Sequence, residues 1–188
     1  MLIIFSGVSA SGKNTIMQEL AKRDKRIKIL DMSSGTTRPP RETDKDNNTY
    51  IFMSREDFEK GIERGDFFEY EDVHGNYYGI LNSALDRVIN NQDTDFVRDI
   101  DVHGREKIVK HFAGKCPVIT IFLDASNEEL EHRLRNRGES EDRIKVRLAR
   151  SKMERDYKKD YDIAIDNVEI DETVNKILKL IEEKRNSL

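Results

Sequence analysis

Gly7-Val8-Ser9-Ala10-Ser11-Gly12-Lys13-Asn14-Thr15 is the stretch on which the reading of this chain turns. Ahead of it, Leu2-Ile3-Ile4-Phe5 predicts a short buried strand. Behind it, Ile16-Met17-Gln18-Glu19-Leu20-Ala21-Lys22 carries helical periodicity. A strand, a glycine-rich turn and a helix form the setting in which a chain wraps a phosphate. Backbone N–H groups in such a turn make a concave nest for an anion. The helix N-terminus adds unpaired N–H groups and partial positive charge. Lys13 sets a full cation beside the β- and γ-phosphates of a nucleotide. One position departs from the pattern: where Ser or Thr follows Gly-Lys and ligates Mg²⁺, Asn14 stands here, with Thr15 next. The competing reading, a glycine turn with a surface lysine, leaves the flanking strand and helix as coincidence.

The chain of 188 residues is long enough for a large core, as one domain or one domain with an inserted lobe. Charged residues make up 37% and hydrophobic residues 36%, with a net charge of -4, so any basic function must be local and no nucleic-acid partner is expected. Cys116 stands alone, so no internal disulfide can form, and it reads as a small apolar filler beside a strand. His74, His103, His111 and His132 fall outside zinc-ligand spacing. No signal-peptide pattern precedes the first strand and no apolar run approaches transmembrane length. The expectation is a cytoplasmic protein without a membrane partner, in a reducing compartment.

Strand and helix signals then alternate. Ile27-Lys28-Ile29-Leu30 predicts a strand. The segment from about Ser33 to Asn82 changes character, with short strands at Tyr50-Ile51-Phe52, Phe67-Phe68-Glu69-Tyr70 and Asn76-Tyr77-Tyr78-Gly79 and a helix over Ser54 to Arg64. Ser54 and Asp57 resemble a capping box, with Asp as a short substitute for Glu. This segment reads as a mostly antiparallel inserted lobe. Helix signals return over Asn82–Ile89, Val102–Ala113, Ser126 to about Gly138, Glu141–Tyr157 and Ile170–Lys184, and strand signals over Asp95–Ile100, Val118–Leu123 and Ile163–Ile165. Repeated βα units with short connections predict a parallel sheet covered on both faces. The fold class is therefore α/β: a P-loop three-layer fold with a central parallel sheet, an inserted small, mostly antiparallel lobe and a helical lid.

Three constellations carry further chemistry. Ser33-Ser34-Gly35-Thr36-Thr37-Arg38-Pro39-Pro40-Arg41 holds two arginines around a Pro-Pro turn: either guanidinium forks set for phosphate oxygens, or a solvated turn. In the stretch around Glu69, Tyr50 and Tyr78 offer hydroxyls to an anion, and Glu69 alternates with apolar neighbours. A carboxylate is acceptor-only and takes both the N1–H and the N2 amino group of guanine, whereas adenine presents an acceptor there; such a site discriminates by about 10⁴-fold. An ordinary solvent-facing glutamate is the alternative. Arg133-Leu134-Arg135-Asn136-Arg137-Gly138, with Arg143 and Arg147, suits a lid that closes cations onto phosphates, or a salt-bridged solvated helix with Glu139, Glu141 and Asp142.

Taken in order, the phosphate loop, Ser34 to Arg41, Tyr50, Glu69, His74-Gly75-Asn76-Tyr77-Tyr78-Gly79, Asp99-Ile100-Asp101 and Arg133 to Gly138 resemble guanylate kinase, from Leu2 to the last helix. The resemblance implies a single domain over 1–188, with a core at about 1–32 and 83–188, a GMP-binding lobe at about 33–82 and a lid at about 133–150. It implies that Gly7, Val8, Ser9, Ala10, Ser11, Gly12, Lys13, Asn14 and Thr15 hold ATP, with Asn167 near the adenine. Ser34 and Glu69 would read guanine; Arg38, Arg41, Tyr50 and Tyr78 would hold the GMP phosphate; Asp101 would contact the nucleoside. Asn14 and Asp99 would lie at Mg²⁺. Lys13, Arg38, Arg133, Arg137 and Arg147 would be catalytic. The partners implied are GMP and ATP, and the protein a monomer or homodimer.

Four positions depart from the family pattern: Asn14; Ala10 in place of a loop glycine; Ile80 in place of a Ser or Thr that helps bind GMP; and Arg98 in place of an apolar strand residue. The lid turn after Gly138 is also about one residue short. ATP-dependent phosphorylation of GMP, and of dGMP, is the leading expectation. The departures keep two others in view: a guanylate-kinase-like binding module, and a kinase of this fold with another acceptor nucleotide.

Overall fold

Apolar runs form strands and amphipathic stretches form helices in the order expected. The computed structural model describes residues 1–30, 33–40, 50–73 and 75–187; Arg41 and His74 lie outside these residues. The elements are β1 (Leu2–Gly7), α1 (Lys13–Arg23), β2 (Ile27–Ile29), β3 (Ser34–Thr36), β4 (Tyr50–Phe52), α2 (Arg55–Arg64), β5 (Phe67–Val73), β6 (Asn76–Leu81), α3 (Asn82–Ile89), β7 (Asp95–Asp99), α4 (Gly104–Phe112), β8 (Val118–Asp124), α5 (Asn127–Asn136), α6 (Glu141–Arg155), β9 (Ile163–Asp166) and α7 (Ile170–Asn186). They fall into two compact units, Met1–Ile29 with Asp95–Leu188, and Leu30–Thr94.

The first unit is built on a five-stranded sheet of order β2-β7-β1-β8-β9. Every pairing in it is parallel. A parallel sheet needs cover on both faces, which is why β1 is apolar from Leu2 to Phe5 and why Leu2, Ile3, Ile4 and Phe5 are buried. On one face Ile3, Phe5, Val97, Ile121 and Leu123 pack with Ile16, Met17 and Leu20 of α1 and with Val174, Ile177 and Ile181 of α7. On the other, Phe122 packs with Leu130 and Leu134 of α5, Ile144 of α6 and Tyr161. Burying such a side chain contributes about 1.5–3 kcal/mol, so the two stripes set the layering. Arg185 of α7 donates to the buried Asp95 at 2.8 Å and to Asp24 at 2.7 Å, pinning the last helix to the sheet.

The second unit holds a four-stranded sheet of order β4-β3-β6-β5. The β3–β6 and β5–β6 pairings are antiparallel and β3–β4 is parallel. Strand β3 lies where only a turn and its arginines were expected. Ser34-Gly35-Thr36 has no apolar residue to announce a strand, but it is paired on both sides. The Ser54 cap of α2 forms by half: Asp57 N–H donates to the serine hydroxyl at 3.0 Å, while the Asp57 carboxylate accepts the hydroxyl proton at 2.6 Å, being too short to reach back to the backbone. Helix α4 starts at Gly104, later than periodicity predicts, because Asp101 Oδ1 accepts from the N–H groups of His103 (2.8 Å) and Gly104 (3.0 Å) and turns the chain there. Among the described residues no helix is long and apolar enough to cross a membrane.

Candidate functional site: a phosphate loop and a polar sheet face

The loop joining β1 to α1 is shaped by residues that tolerate unusual backbone. Gly7 has φ +136°, and a Cβ there would lie 1.9 Å from the Leu123 carbonyl oxygen. Gly12 has φ +94°, and its Cβ would meet the Asn167 amide nitrogen at 2.5 Å. Ala10, at φ +67°, is the one non-glycine among the described residues in the left-handed region. An L-residue there costs about 1–2 kcal/mol, so its surroundings must hold it. Val8, Ala10 and Ser11 are buried, and Asn14 and Thr15 are exposed on the first turn of α1.

Lys13 Nζ donates to the Gly7 carbonyl at 2.9 Å and the Val8 carbonyl at 3.2 Å, which holds the ammonium over its own loop. It opens on a cavity of about 700 Å³, lined also by Gly7, Ser9, Asp99, Asp101, Arg143 and Arg147. Arg147 donates to Ser9 Oγ at 2.8 Å and to Glu139 at 3.0 Å. Asp99 ends β7 at the cavity, with its side chain still reached by solvent but crowded by the walls around it. That desolvation pushes its carboxyl above the ordinary value; the charges of Lys13 and Arg98 pull it down, and those of Asp101 and Glu154 push it up. Arg98, half-buried in β7, therefore acts electrostatically on the site.

Lys13, Asp99, Asp101 and Arg147 are thus brought together. Arg133 and Asn167 instead contact carbonyl oxygens of the loop, and Arg137 is exposed at the end of α5. Arg150 and Glu154 line the cavity without having been singled out from the sequence, and Arg143 was named only as part of the lid cluster. Their signal is legible in hindsight: positions 143, 147, 150 and 154 recur at helical spacing on α6, one stripe of the helix.

In the second unit the strand register assembles the other predicted residues. Tyr50 of β4 pairs with Ser34 of β3, Ser34 with Ile80 of β6, and Ile80 with Glu69 of β5. Directly paired residues share a face, so these four form one row. Phe52, Thr36, Tyr78 and Glu71 form the next row on that face. Arg38 follows, its guanidinium 5.7 Å from the Tyr50 ring centre and 5.4 Å from that of Phe52; Tyr50 and Tyr78 meet edge to face at 6.0 Å. The opposite face is aromatic. Phe58 of α2 stacks on Phe67 at 4.1 Å and on Tyr77 at 5.1 Å. A Cβ at Gly79 would lie 2.6 Å from the Phe67 ring, so glycine makes room for it.

A bulge separates the two faces within β5. Phe67 pairs with Leu81 and Glu69 with Ile80, so these residues, two apart in sequence, point to opposite sides. Simple alternation would have put them on the same side.

A glycine-turned phosphate loop opening a helix, a central parallel sheet and a smaller, mostly antiparallel sheet define a P-loop nucleoside monophosphate kinase fold. The guanylate kinase family model matches residues 1–184. A guanylate kinase of Prochlorococcus marinus is 36% identical over 182 residues, covering 96% of this chain and 96% of that protein. One of Fusobacterium nucleatum is 36% identical, covering 96% and 95%. The crystal structure of guanylate kinase from Anaplasma phagocytophilum superposes with a TM-score of 0.68 at 26% identity, covering 98% of this chain and 85% of that one. The chain belongs to the guanylate kinase family.

Proposed function

We propose that this protein transfers the γ-phosphoryl group of ATP to GMP, and to dGMP, giving GDP or dGDP and ADP. The observation that carries the reading is the row Tyr50–Ser34–Ile80–Glu69, with Arg38 and Tyr78 beside it. It supports one surface that takes a guanine edge at Glu69 and Ser34 and a monophosphate at Arg38, Tyr50 and Tyr78, with Arg41 as a further phosphate ligand. The unit Leu30–Thr94 is then the GMP-binding lobe, and about 133–150 the lid.

Transfer needs no protein nucleophile. The attacking oxygen is a phosphate oxygen of GMP; it bonds the γ-phosphorus as the bond to the β,γ-bridging oxygen breaks and ADP leaves. The loop amides and Lys13 hold the donor phosphates, and Arg38 orients the acceptor phosphate. Arg147 and Arg137 bring positive charge to the transferring group, and Asp101 contacts the nucleoside. Among the described residues no three His, Cys, Asp or Glu side chains group closely enough to hold a metal. That fits Mg²⁺, which takes few protein ligands and completes its shell with phosphates and water. Asn14 and Asp99 offer it hard oxygens, and when bound it neutralises developing phosphate charge.

ADP release measured with GMP, dGMP, AMP, UMP and CMP, with and without Mg²⁺, tests the reading. Turnover confined to GMP and dGMP is expected. Turnover with none would favour a binding module. Ile80, apolar at the centre of the row, favours a second reading, a kinase of this fold with another acceptor, which turnover with another base would support.

A further inference from the structure

Arg133 is grouped by resemblance with arginines that reach phosphate, yet its guanidinium is engaged by carbonyl oxygens and does not line the cavity onto which Lys13 opens. Its Nη2 donates to the Asn167 carbonyl at 3.0 Å, and its Nη1 to the carbonyls of Ser11 at 3.3 Å and Ala10 at 3.4 Å. Glu129 takes its Nε–H at 2.7 Å, which orients the fork. Asn167, 2% exposed, donates Nδ2–H to the same Ser11 carbonyl at 2.7 Å. In a trans peptide the C=O and the following N–H point opposite ways. Holding the Ala10 and Ser11 carbonyls outward therefore turns the N–H groups of Ser11 and Gly12 inward, the orientation an anion nest requires. The Ser11 N–H, on the side away from the Ala10 carbonyl, closes a turn onto the Val8 carbonyl at 3.2 Å, which leaves the Gly12 N–H as the amide these contacts turn toward an anion. The same contacts act on Ala10, whose backbone has no glycine to relax it at φ +67°.

We infer that Arg133, with Asn167, is an external clamp on the phosphate loop: a positioning residue that holds Ala10 left-handed and the loop amides inward, and not a contact to the nucleotide. The inference rests on the loop binding nucleotide phosphates and is independent of which acceptor is used. It departs from the expectation that Arg133 works from the lid, and it ties the loop to α5.

The test is a double-mutant cycle. Arg133→Gln and Arg133→Lys are made in the natural chain and together with Ala10→Gly. ADP affinity is read by calorimetry, kcat at saturating ATP and GMP by ADP release, and folding by thermal melting. Losing charged hydrogen bonds to the loop is expected to weaken ADP binding about 10-fold or more in Arg133→Gln. At saturation kcat should fall by less than about 10-fold, because no transition-state contact is lost. Ala10→Gly should recover at least about threefold of the affinity, since glycine adopts the loop conformation unaided. Arg133→Lys, which keeps the charge and loses the fork, should fall between, and it carries the test if Arg133→Gln does not fold. Unchanged ADP affinity with a kcat loss of about 10³ would make Arg133 a transition-state contact and overturn the clamp. A loss that Ala10→Gly does not relieve would overturn it as well. Failure of the natural chain to bind ADP would overturn both the clamp and the nucleotide reading, and so is distinguishable from the other two.

Discussion

The two units differ in the kind of group they could offer an anion. In the first, the loop uses main-chain groups: Gly7 and Gly12 let the backbone turn, and Lys13 is the one cation within it. In the second, a sheet face presents side chains: Ser34, Glu69, Tyr50 and Tyr78 stand on strands whose backbone is already paired, and Arg38 lies just past the end of β3. Backbone recognition demands particular conformations and tolerates little added volume. Side-chain recognition demands register and tolerates exchange. The first suits a polyphosphate shared by many nucleotides, and the second suits the distinction of one base from another.

Substitutions in each unit sharpen or break that contrast. The largest effect is expected for Lys13→Ala, with kcat/KM lower by about 10³ or more in an ADP-release assay and a melting temperature within a few degrees of the natural chain. Retained turnover would remove the loop from the reaction. Gly7→Ala comes next: its Cβ meets a carbonyl at 1.9 Å that belongs to β8 and cannot swing aside. Strain and overpacking together should lower unfolding free energy by about 3 kcal/mol or more in denaturant titration. Glu69→Ala should lower the preference for GMP over AMP by about 10²-fold or more while leaving the melting curve nearly unchanged. Gly79→Ala is the lobe's counterpart to Gly7→Ala. Its Cβ meets the Phe67 ring at 2.6 Å, a side chain with some room to shift, so about 1–3 kcal/mol is expected. If Gly79→Ala proved the costlier of the two, the contrast between rigid loop and forgiving face would be reversed. The smallest effect is Ala10→Gly, a gain of about 0.5–1 kcal/mol: relief of the left-handed alanine exceeds the added freedom of the unfolded chain.

What could be read without coordinates follows the same division. The loop is legible because Gly7, Gly12 and Lys13 mark a backbone geometry at short range, and β1 and β8 are legible because burial on both faces leaves unbroken apolar runs. Strand β3 is not, since Ser34-Gly35-Thr36 owes its conformation to partners on both sides. Tyr50, Tyr78 and Glu69 are recognisable by residue type, but their common face depends on register between strands. The contacts of Arg133 join it to Ser11 across 122 positions, a closure that no local pattern announces. Asn167 is the same kind of case, at the far end of the chain from the loop it holds.

The extra residue in β5 has a consequence for which changes of length the strand can absorb. Without Phe68, Phe67 and Glu69 would be neighbours that alternate in the ordinary way, each keeping its present side, so the strand can lose that residue without exchanging its faces. A residue lost from the regular part of the strand has no such spare behind it: everything beyond the gap would fall one step out of register and turn to the other side.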